Sequence, residues 1–301
     1  MRIAVTGSTG LIGSALVRSL LADEHEVVRL VRHRSRTGPQ PDGSTAIGWN
    51  PLLGEIDRDG LAGVQAVVHL AGAGVGDHRW TDSYKREIRE SRVQGTETLA
   101  VALAELKEPP QVLVSASAVG WYGQTDDRVI DEDSPAGDDF LAEVCVQWEA
   151  AARPAERAGI RVVHPRTGMV LSSAGGAGGR LFPLFRLGLG GRLGSGRQYW
   201  SFISLHDQVA ALRFLLDHDD LSGAFNLTAP HPATNAELTT ALGRALRRPT
   251  PFPVPEAVLK LVLGELAVEV VGSHRVVPRR LSDAGFRFTH PDVYSAVLAA
   301  L

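Results

Sequence analysis

Short, nearly continuous apolar runs alternate with amphipathic stretches through the first half of the chain. RIAVTG, EVVRLVR, AVVHLAG and QVLVSAS are dominated by apolar and β-branched residues, as are strands covered on both faces of a parallel sheet. Between them, Leu11 to Leu21 and Tyr84 to Leu106 carry apolar positions at helical spacing. Strand, helix and strand in this order predict right-handed βαβ units, and hence an α/β fold with a doubly wound parallel sheet. A helix beginning near Phe140 leads to another strand, IRVVHPRTGMVL.

After Leu171 the pattern changes. SSAGGAGGRLFPLFRLGLGGRLGSGRQ is rich in glycine and arginine and has no regular period. It reads as a loop and short helix lining a site, with a plain surface loop as the alternative. WSFISLHDQVAALRFLLDH predicts a strand turning into a helix, with Asp207 as its N-cap. From Pro249 onward, PTPFPVPEAVLKLVLGELAVEVV predicts one or two helices bracketed by prolines. The expected organisation is a nucleotide-binding sheet domain over residues 1–170, completed by about 200–230. A smaller interleaved C-terminal lobe on the substrate side is expected from 171–199 and 231–301.

The turn VTGSTGLIG joins the first strand to the first helix and spaces its glycines G-x-x-G-x-x-G. Gly7 allows the tight turn, Gly10 lets backbone approach a pyrophosphate, and Gly13 lets helix and strand pack closely. The helix start at Thr9, Leu11 and Ile12 then offers free N–H groups and a positive dipole end to the phosphates. With a hydrophobic strand before it and an amphipathic helix after it, this predicts a Rossmann dinucleotide site. His69-Leu70-Ala71-Gly72 closes the next strand but two with small residues, so Leu70, Ala71 and Gly72 are expected beside the adenosine ribose or the pyrophosphate.

NAD-selective sites end the second strand with a carboxylate for the ribose 2′-hydroxyl. Here that strand ends Leu30-Val31-Arg32-His33-Arg34-Ser35-Arg36, with no acid and with arginines at 32, 34 and 36. Guanidinium groups match a 2′-phosphate bidentately. The expected cofactor is NADP(H), with Arg32 on the phosphate.

Composition narrows the picture further. A formal net charge of −3 gives no reason to expect nucleic acid or an anionic membrane as partner. The single cysteine, Cys145, excludes an internal disulfide. Met1-Arg2-Ile3 runs directly into a strand and the apolar runs are broken by glycine. Neither a signal peptide nor a transmembrane helix is therefore expected, and the protein is expected to be cytoplasmic. No metal site is expected, because the ten histidines are scattered and no H-E-x-x-H or cysteine cluster occurs. The absence of a G-x-S-x-G elbow excludes the hydrolase fold.

VTGSTGLIG, VVHLAGAGV, SASAVGWYG and HPRTGMVL, in this order, resemble the extended short-chain dehydrogenase/reductases, a superfamily that includes sugar-nucleotide epimerases and dehydratases. RWTDSYKREIRESRVQGT, FLAEVCVQWEAAA, GLGGRLGSGRQYWSFISLHD, FNLTAPHPATNAEL and LGELAVEVV extend the likeness over essentially the whole chain. The chain is most similar to an atypical, epimerase-like branch, the NAD-dependent epimerase/dehydratase family proteins with a C-terminal extension. The resemblance implies a Rossmann domain, an interleaved C-terminal lobe and an NADP(H)-type cofactor.

In ordinary members a serine or threonine polarises the substrate, and a Tyr-x-x-x-Lys pair on one helix face moves the proton. Ser117 matches the serine position, with Ser115 and Ala116 before it beside the cofactor. The helix match anchors on Glu149, and it puts Leu141 and Cys145 where the tyrosine and lysine would stand. Neither can replace that pair. Proton chemistry must then come from elsewhere, and Tyr122 or water is the nearest source. Pro165 and Arg166, at the end of the HPRTG strand, are expected to face the cleft. Arg92 stands where typical relatives carry asparagine, so if buried it needs an anionic partner, Glu90 or a ligand phosphate. His206-Asp207 is a weaker base candidate, and Cys145 reads as a buried inert thiol. The two functions in contention are an NADP(H)-dependent oxidoreductase or epimerase of a carbonyl or sugar-like substrate, and a non-catalytic NADP(H)-binding redox sensor or scaffold. Arg180, Arg186, Arg192 and Arg197 favour an anionic small-molecule substrate, and Gly191 to Gln198 is the loop expected to close the site.

Overall fold

The computed structural model describes residues 1–301, with the side chain of Arg34 outside the described set. Seven parallel strands form the central sheet: β1 Arg2–Thr6, β2 Glu26–Val31, β3 Thr45–Asn50, β4 Ala66–His69, β5 Val112–Ser115, β6 Arg161–Thr167 and β7 Gly223–Leu227. Their spatial order is β7-β6-β5-β4-β1-β2-β3, with short antiparallel segments at Gly38–Pro39 and Glu55–Ile56 along the β3 edge. The chain leaves β1 toward β2 on one side and returns to β4 on the other. This reversal opens a crevice at the carboxyl ends of β1 and β4, where doubly wound sheets take their ligands.

The strands are buried on both faces, as their unbroken apolar runs require. Ile3, Ala4 and Val5 are all completely inaccessible, and successive side chains feed opposite cores. One core joins Ile3, Val5 and Val68 to helices α1 (Leu11–Ala22) and α5 (Leu205–Asp217). The other joins Ala4, Val28 and Val67 to Leu99 and Leu103 of α2 (Asp82–Ala104). A third core holds Phe182 of α4 (Gly176–Arg186), Phe202, Leu238 and Leu242 of α6 (Asn235–Leu246), and Val297 of α9 (Val293–Ala300). Between α6 and α9 lie α7 (Glu256–Leu263) and α8 (Ala267–Val271).

β7 pairs with β6 in register Gly223↔Val163 to Leu227↔Thr167, so the chain re-enters the sheet after its excursion through α4. The glycine-rich stretch after Leu171 is more regular than its composition suggests, since α4 occupies its first half despite Pro183 within it. Asp207 is not the N-cap of α5. Ser204 is, accepting from the Asp207 N–H, while the buried Asp207 carboxylate accepts from the N–H groups of Thr289 and His290. The tail returns to the sheet: Phe286 packs edge-on against Phe214 and Phe288, and both pack on the first core. Among the described residues no helix is long and apolar enough to cross a membrane.

Candidate active site

The turn after β1 is shaped by backbone contacts that leave no room for side chains. Gly7 has φ +63°, and a Cβ there would lie 2.7 Å from the carbonyl carbon and oxygen of Leu70. A Cβ on Gly13 would lie 2.2 Å from the Gly7 carbonyl oxygen. Gly10, whose Cβ would meet that oxygen at 3.3 Å, is far less constrained. Thr9 and Gly10 are exposed, Leu11 and Ile12 half-buried, and no side chain caps α1. The helix start thus presents its N–H groups to the crevice.

Thr6, which sequence reading passed over, ties this turn to the segment after β4. Its hydroxyl accepts from the N–H groups of Leu70 (3.0 Å) and Ala71 (3.2 Å) and lies 2.7 Å from His69 Nδ1. With two protons already arriving at that oxygen, Thr6 donates its own to Nδ1, so His69 carries its proton on Nε2. Burial pushes the His69 pKa down to about 4, consistent with a neutral ring. Leu70 and Ala71 are half-buried and Gly72 is exposed, lining the same crevice. On its far side, Gly176 comes so near α1 that a Cβ would touch Leu11 Cδ2 at 3.5 Å. The glycine-rich stretch therefore borders the cradle.

Arg32 is exposed at the end of β2 and makes no hydrogen bond or ion pair among the described residues. It lines a cavity of about 560 Å³ together with Gly48, Asn50, Asp57 and Arg58. Arg36 is exposed nearby.

On the other half of the crevice, Ser117 does not stand alone. It lies in a two-residue strand, Ser117–Ala118, paired with Arg166–Thr167, and its Oγ donates to Glu149 Oε1 at 2.7 Å. Glu149, on α3 (Phe140–Ala150), also holds Arg166 bidentately, at 2.8 Å to Nε and 3.0 Å to Nη2. Arg166 Nη1 donates to the Tyr122 hydroxyl (3.0 Å), which donates in turn to Asn226 Oδ1 at 2.7 Å. The guanidinium carbon sits 3.8 Å from the centre of the Trp121 ring. Burial is the largest influence on Tyr122 and raises its phenol pKa. Ser117, Tyr122 and Arg166 are thus brought together in one buried network. Pro165 lies within β6 opposite Phe225, while Ser115 and Ala116 are buried at the end of β5.

The face of α3 that carries Glu149 explains the replaced pair. Leu141, Cys145 and Glu149 recur every four residues and face the turn after Ser117: a Cβ on Gly120 would lie 3.3 Å from Leu141 Cβ and 3.9 Å from Cys145 Sγ. Leu141 and Cys145 pack; Glu149 bonds. Burial pushes the Cys145 thiol up to about 12. A thiol-specific disulfide reagent at pH 8 is therefore expected to leave native Cys145 unmodified and to modify it fully in denaturant. Rapid labelling of the folded protein would contradict this packing.

Other expected groups are placed differently. Arg180 is exposed and pairs with Asp77 at 3.1 Å, and Arg186, Arg192 and Arg197 are exposed. The Gly191 to Gln198 loop is stitched to the C-terminal lobe: Gln198 Nε2 donates to the carbonyls of Leu193 (2.9 Å) and Val270 (3.3 Å), and Asn235 Oδ1 accepts from Leu193 N–H. The fold also brings His206, Asp207 and His290 together, their ligand-type atoms within 4.8 Å of one another. Both Asp207 oxygens already accept backbone N–H groups, so the trio anchors the 289–290 turn.

Residues 3–228 match the model of the NAD dependent epimerase/dehydratase family, and residues 254–300 match a domain of unknown function. The chain belongs to the NAD-dependent epimerase/dehydratase family. Among its family relatives, an epimerase family protein of Mycobacterium tuberculosis is 48% identical over 296 residues, 98% of this chain and 96% of that one. The crystal structure of human epimerase family protein SDR39U1 with NADPH superposes with a TM-score of 0.89 at 35% identity, covering 100% of this chain and 99% of that one. A nucleoside-diphosphate sugar epimerase from Corynebacterium glutamicum gives 0.81 at 36% identity, covering 100% of this chain and 58% of that one. Epimerase-family membership accounts for the parallel sheet and the cradle after β1.

Proposed function

We propose that this chain is an NADP(H)-dependent oxidoreductase or epimerase acting on a carbonyl or sugar-nucleotide-like small molecule. The observation that carries the reading is the uncapped start of α1 above a glycine turn, with an exposed Arg32 at the end of β2 that makes no bond among the described residues. In this reading Gly7, Thr9, Gly10, Leu11, Ile12 and Gly13 cradle the diphosphate, and Arg32 takes the 2′-phosphate. Leu70, Ala71 and Gly72 flank the adenosine half of the cofactor, and Ser115, Ala116, Pro165 and Arg166 border its nicotinamide half. The NADPH bound to human SDR39U1 supports the cofactor choice. Residues 171–199 and 231–301 serve as the substrate-side lobe, and the protein works in the cytoplasm.

Ser117 orients the substrate oxygen. With its proton on Glu149 it offers lone pairs to a substrate hydroxyl, and donation the other way requires that bond to break. Tyr122 gives its proton to Asn226 and accepts from Arg166, so delivering that proton to a substrate requires breaking only the Asn226 bond, and water is the other source.

Titration of the unmodified protein is expected to show NADPH bound more tightly than NADH. Arg32→Asp should weaken NADPH by an order of magnitude or more, since a charge-assisted pair becomes a repulsion. Tighter binding of NADH would overturn the 2′-phosphate assignment. The NADPH-loaded protein is then offered aldehydes, quinones and nucleotide sugars, alongside Ser117→Ala. Turnover that depends on the serine is expected. Tight NADPH binding with no turnover on any of them would favour the non-catalytic sensor.

A further inference from the structure

Several arginines are buried or half-buried, and most have their charge answered. Arg166 has Glu149 at 2.8 Å. Arg161 donates to the carbonyls of Leu215, Leu216 and Leu221 and has Asp219 at 3.8 Å. Arg92, on α2, has no such answer. Its Nη1 donates to the carbonyl oxygens of Ala73 (2.9 Å) and Ile88 (3.0 Å), and no carboxylate pairs with it among the described residues. Glu90, two positions away and the acid the sequence offered as partner, makes no bond to it.

The surroundings sharpen the anomaly. The guanidinium carbon stands 5.0 Å from the centre of the Trp148 ring on α3, and the Trp148 Nε1 is buried with no acceptor. The ionisable groups that face Arg92 are the Cys145 thiol and the Tyr84 phenol, and burial raises the pKa of both, so both stay neutral. Gly72 approaches so closely that a Cβ there would lie 3.4 Å from Arg92 Cγ and Cζ. A guanidinium cannot shed its charge by losing a proton. Taking it partly out of water carries a desolvation cost, and two neutral carbonyls return only part of it. A fold that tolerates this cost leaves an electrostatic site for an anion arriving from outside.

Arg92 lies between the Gly72–Ala73 segment and the Cys145–Trp148 face of α3, the helix face that also carries Glu149. The cofactor diphosphate has its own donors in the Gly7–Gly13 turn. We propose that Arg92 anchors an oxyanion substituent of the substrate, a carboxylate or phosphate, against the Gly72–Ala73 segment. This rests on the NADP(H)-dependent enzyme reading and narrows its substrate to anionic molecules. The three nitrogens of guanidinium suit a two-oxygen group, so lysine is a poor replacement.

The test loads the protein with NADPH and titrates it with inorganic phosphate and, separately, with acetate at constant ionic strength, reading tryptophan fluorescence. Saturable binding of at least one probe is expected, and the stronger of the two identifies the substituent. In Arg92→Gln that affinity should fall at least tenfold while NADPH affinity stays within about threefold, as the loss of a charge-assisted bond at one site implies. If Arg92→Gln does not fold, Arg92→Lys keeps the charge, loses the fork, and should lower probe affinity severalfold. No saturable binding to the loaded wild-type protein would overturn the proposal. So would equal affinity in variant and wild type, or a parallel fall in NADPH affinity, which would put Arg92 on the cofactor's own phosphates. Failure to bind NADPH at all would instead remove the enzyme reading on which the proposal stands.

Discussion

Gly13→Ala is expected to destabilise the protein by about 3 kcal/mol and to abolish NADPH binding, the upper part of the range for single substitutions. The new methyl would lie 2.2 Å from the Gly7 carbonyl oxygen and 2.8 Å from its carbon, so it meets backbone that cannot rotate away. Relief requires α1 to lift from β1 or the 7–10 turn to open. Either movement displaces the N–H groups at the helix start. Gly10→Ala is the internal control. Its methyl would meet the same oxygen at 3.3 Å, a contact relieved by a few tenths of an ångström, and the position is exposed. Denaturant midpoints and NADPH titration of the two variants should therefore separate widely. Equal behaviour would mean that Gly13 is not a packing residue.

Glu149→Ala is expected to cost about 3–5 kcal/mol, the usual penalty for removing one partner of a buried ion pair. The figure is large because Arg166 would keep its charge with its side chain only 5% exposed. The damage should spread, since Arg166 also donates to the Tyr122 hydroxyl and Ser117 donates to the lost carboxylate. Glu149→Gln retains an acceptor and should cost less. Replacing Glu149 and Arg166 together by leucine and methionine should recover part of the loss, because the uncompensated charge goes with the pair. Thermal unfolding of the four proteins decides it. A single Glu149→Ala variant within about 0.5 kcal/mol of wild type would show the network to be incidental.

Local signals made the sheet and the cradle legible in the sequence. β1, β2, β4, β5 and β6 announce themselves by apolar runs, because strands covered on both faces need little that is polar, whereas β3, with Thr45, Gly48 and Asn50, carries no such run. The glycines at 7, 10 and 13 announce a turn because backbone crowding leaves no alternative at two of them. The Ser117 network was legible only in part. Glu149 drew notice as an alignment anchor, but nothing local says that it accepts from Ser117 or grips Arg166 seventeen residues on. Asn226 and Thr6 were invisible for the same reason: their partners Tyr122 and Leu70 lie 104 and 64 positions away. The N-cap of α5 was misplaced by three residues because Asp207 and Ser204 are both good caps, and only the tail at Thr289 and His290 decides which oxygen is free. Arg92 sits between these cases. That a buried arginine there would call for an anionic partner could be read from the sequence, but that Glu90 makes no bond to it could not.

Phe286 and Phe288 cover a face of the sheet whose first strand begins at Arg2. On the ribosome, that face is finished only when the last fifteen or so residues emerge, although most of the nucleotide-binding half is made long before. Nascent chains stalled short of the tail should therefore carry a sticky, chaperone-demanding flank, and shortening the C-terminus should impair solubility well before it touches the crevice.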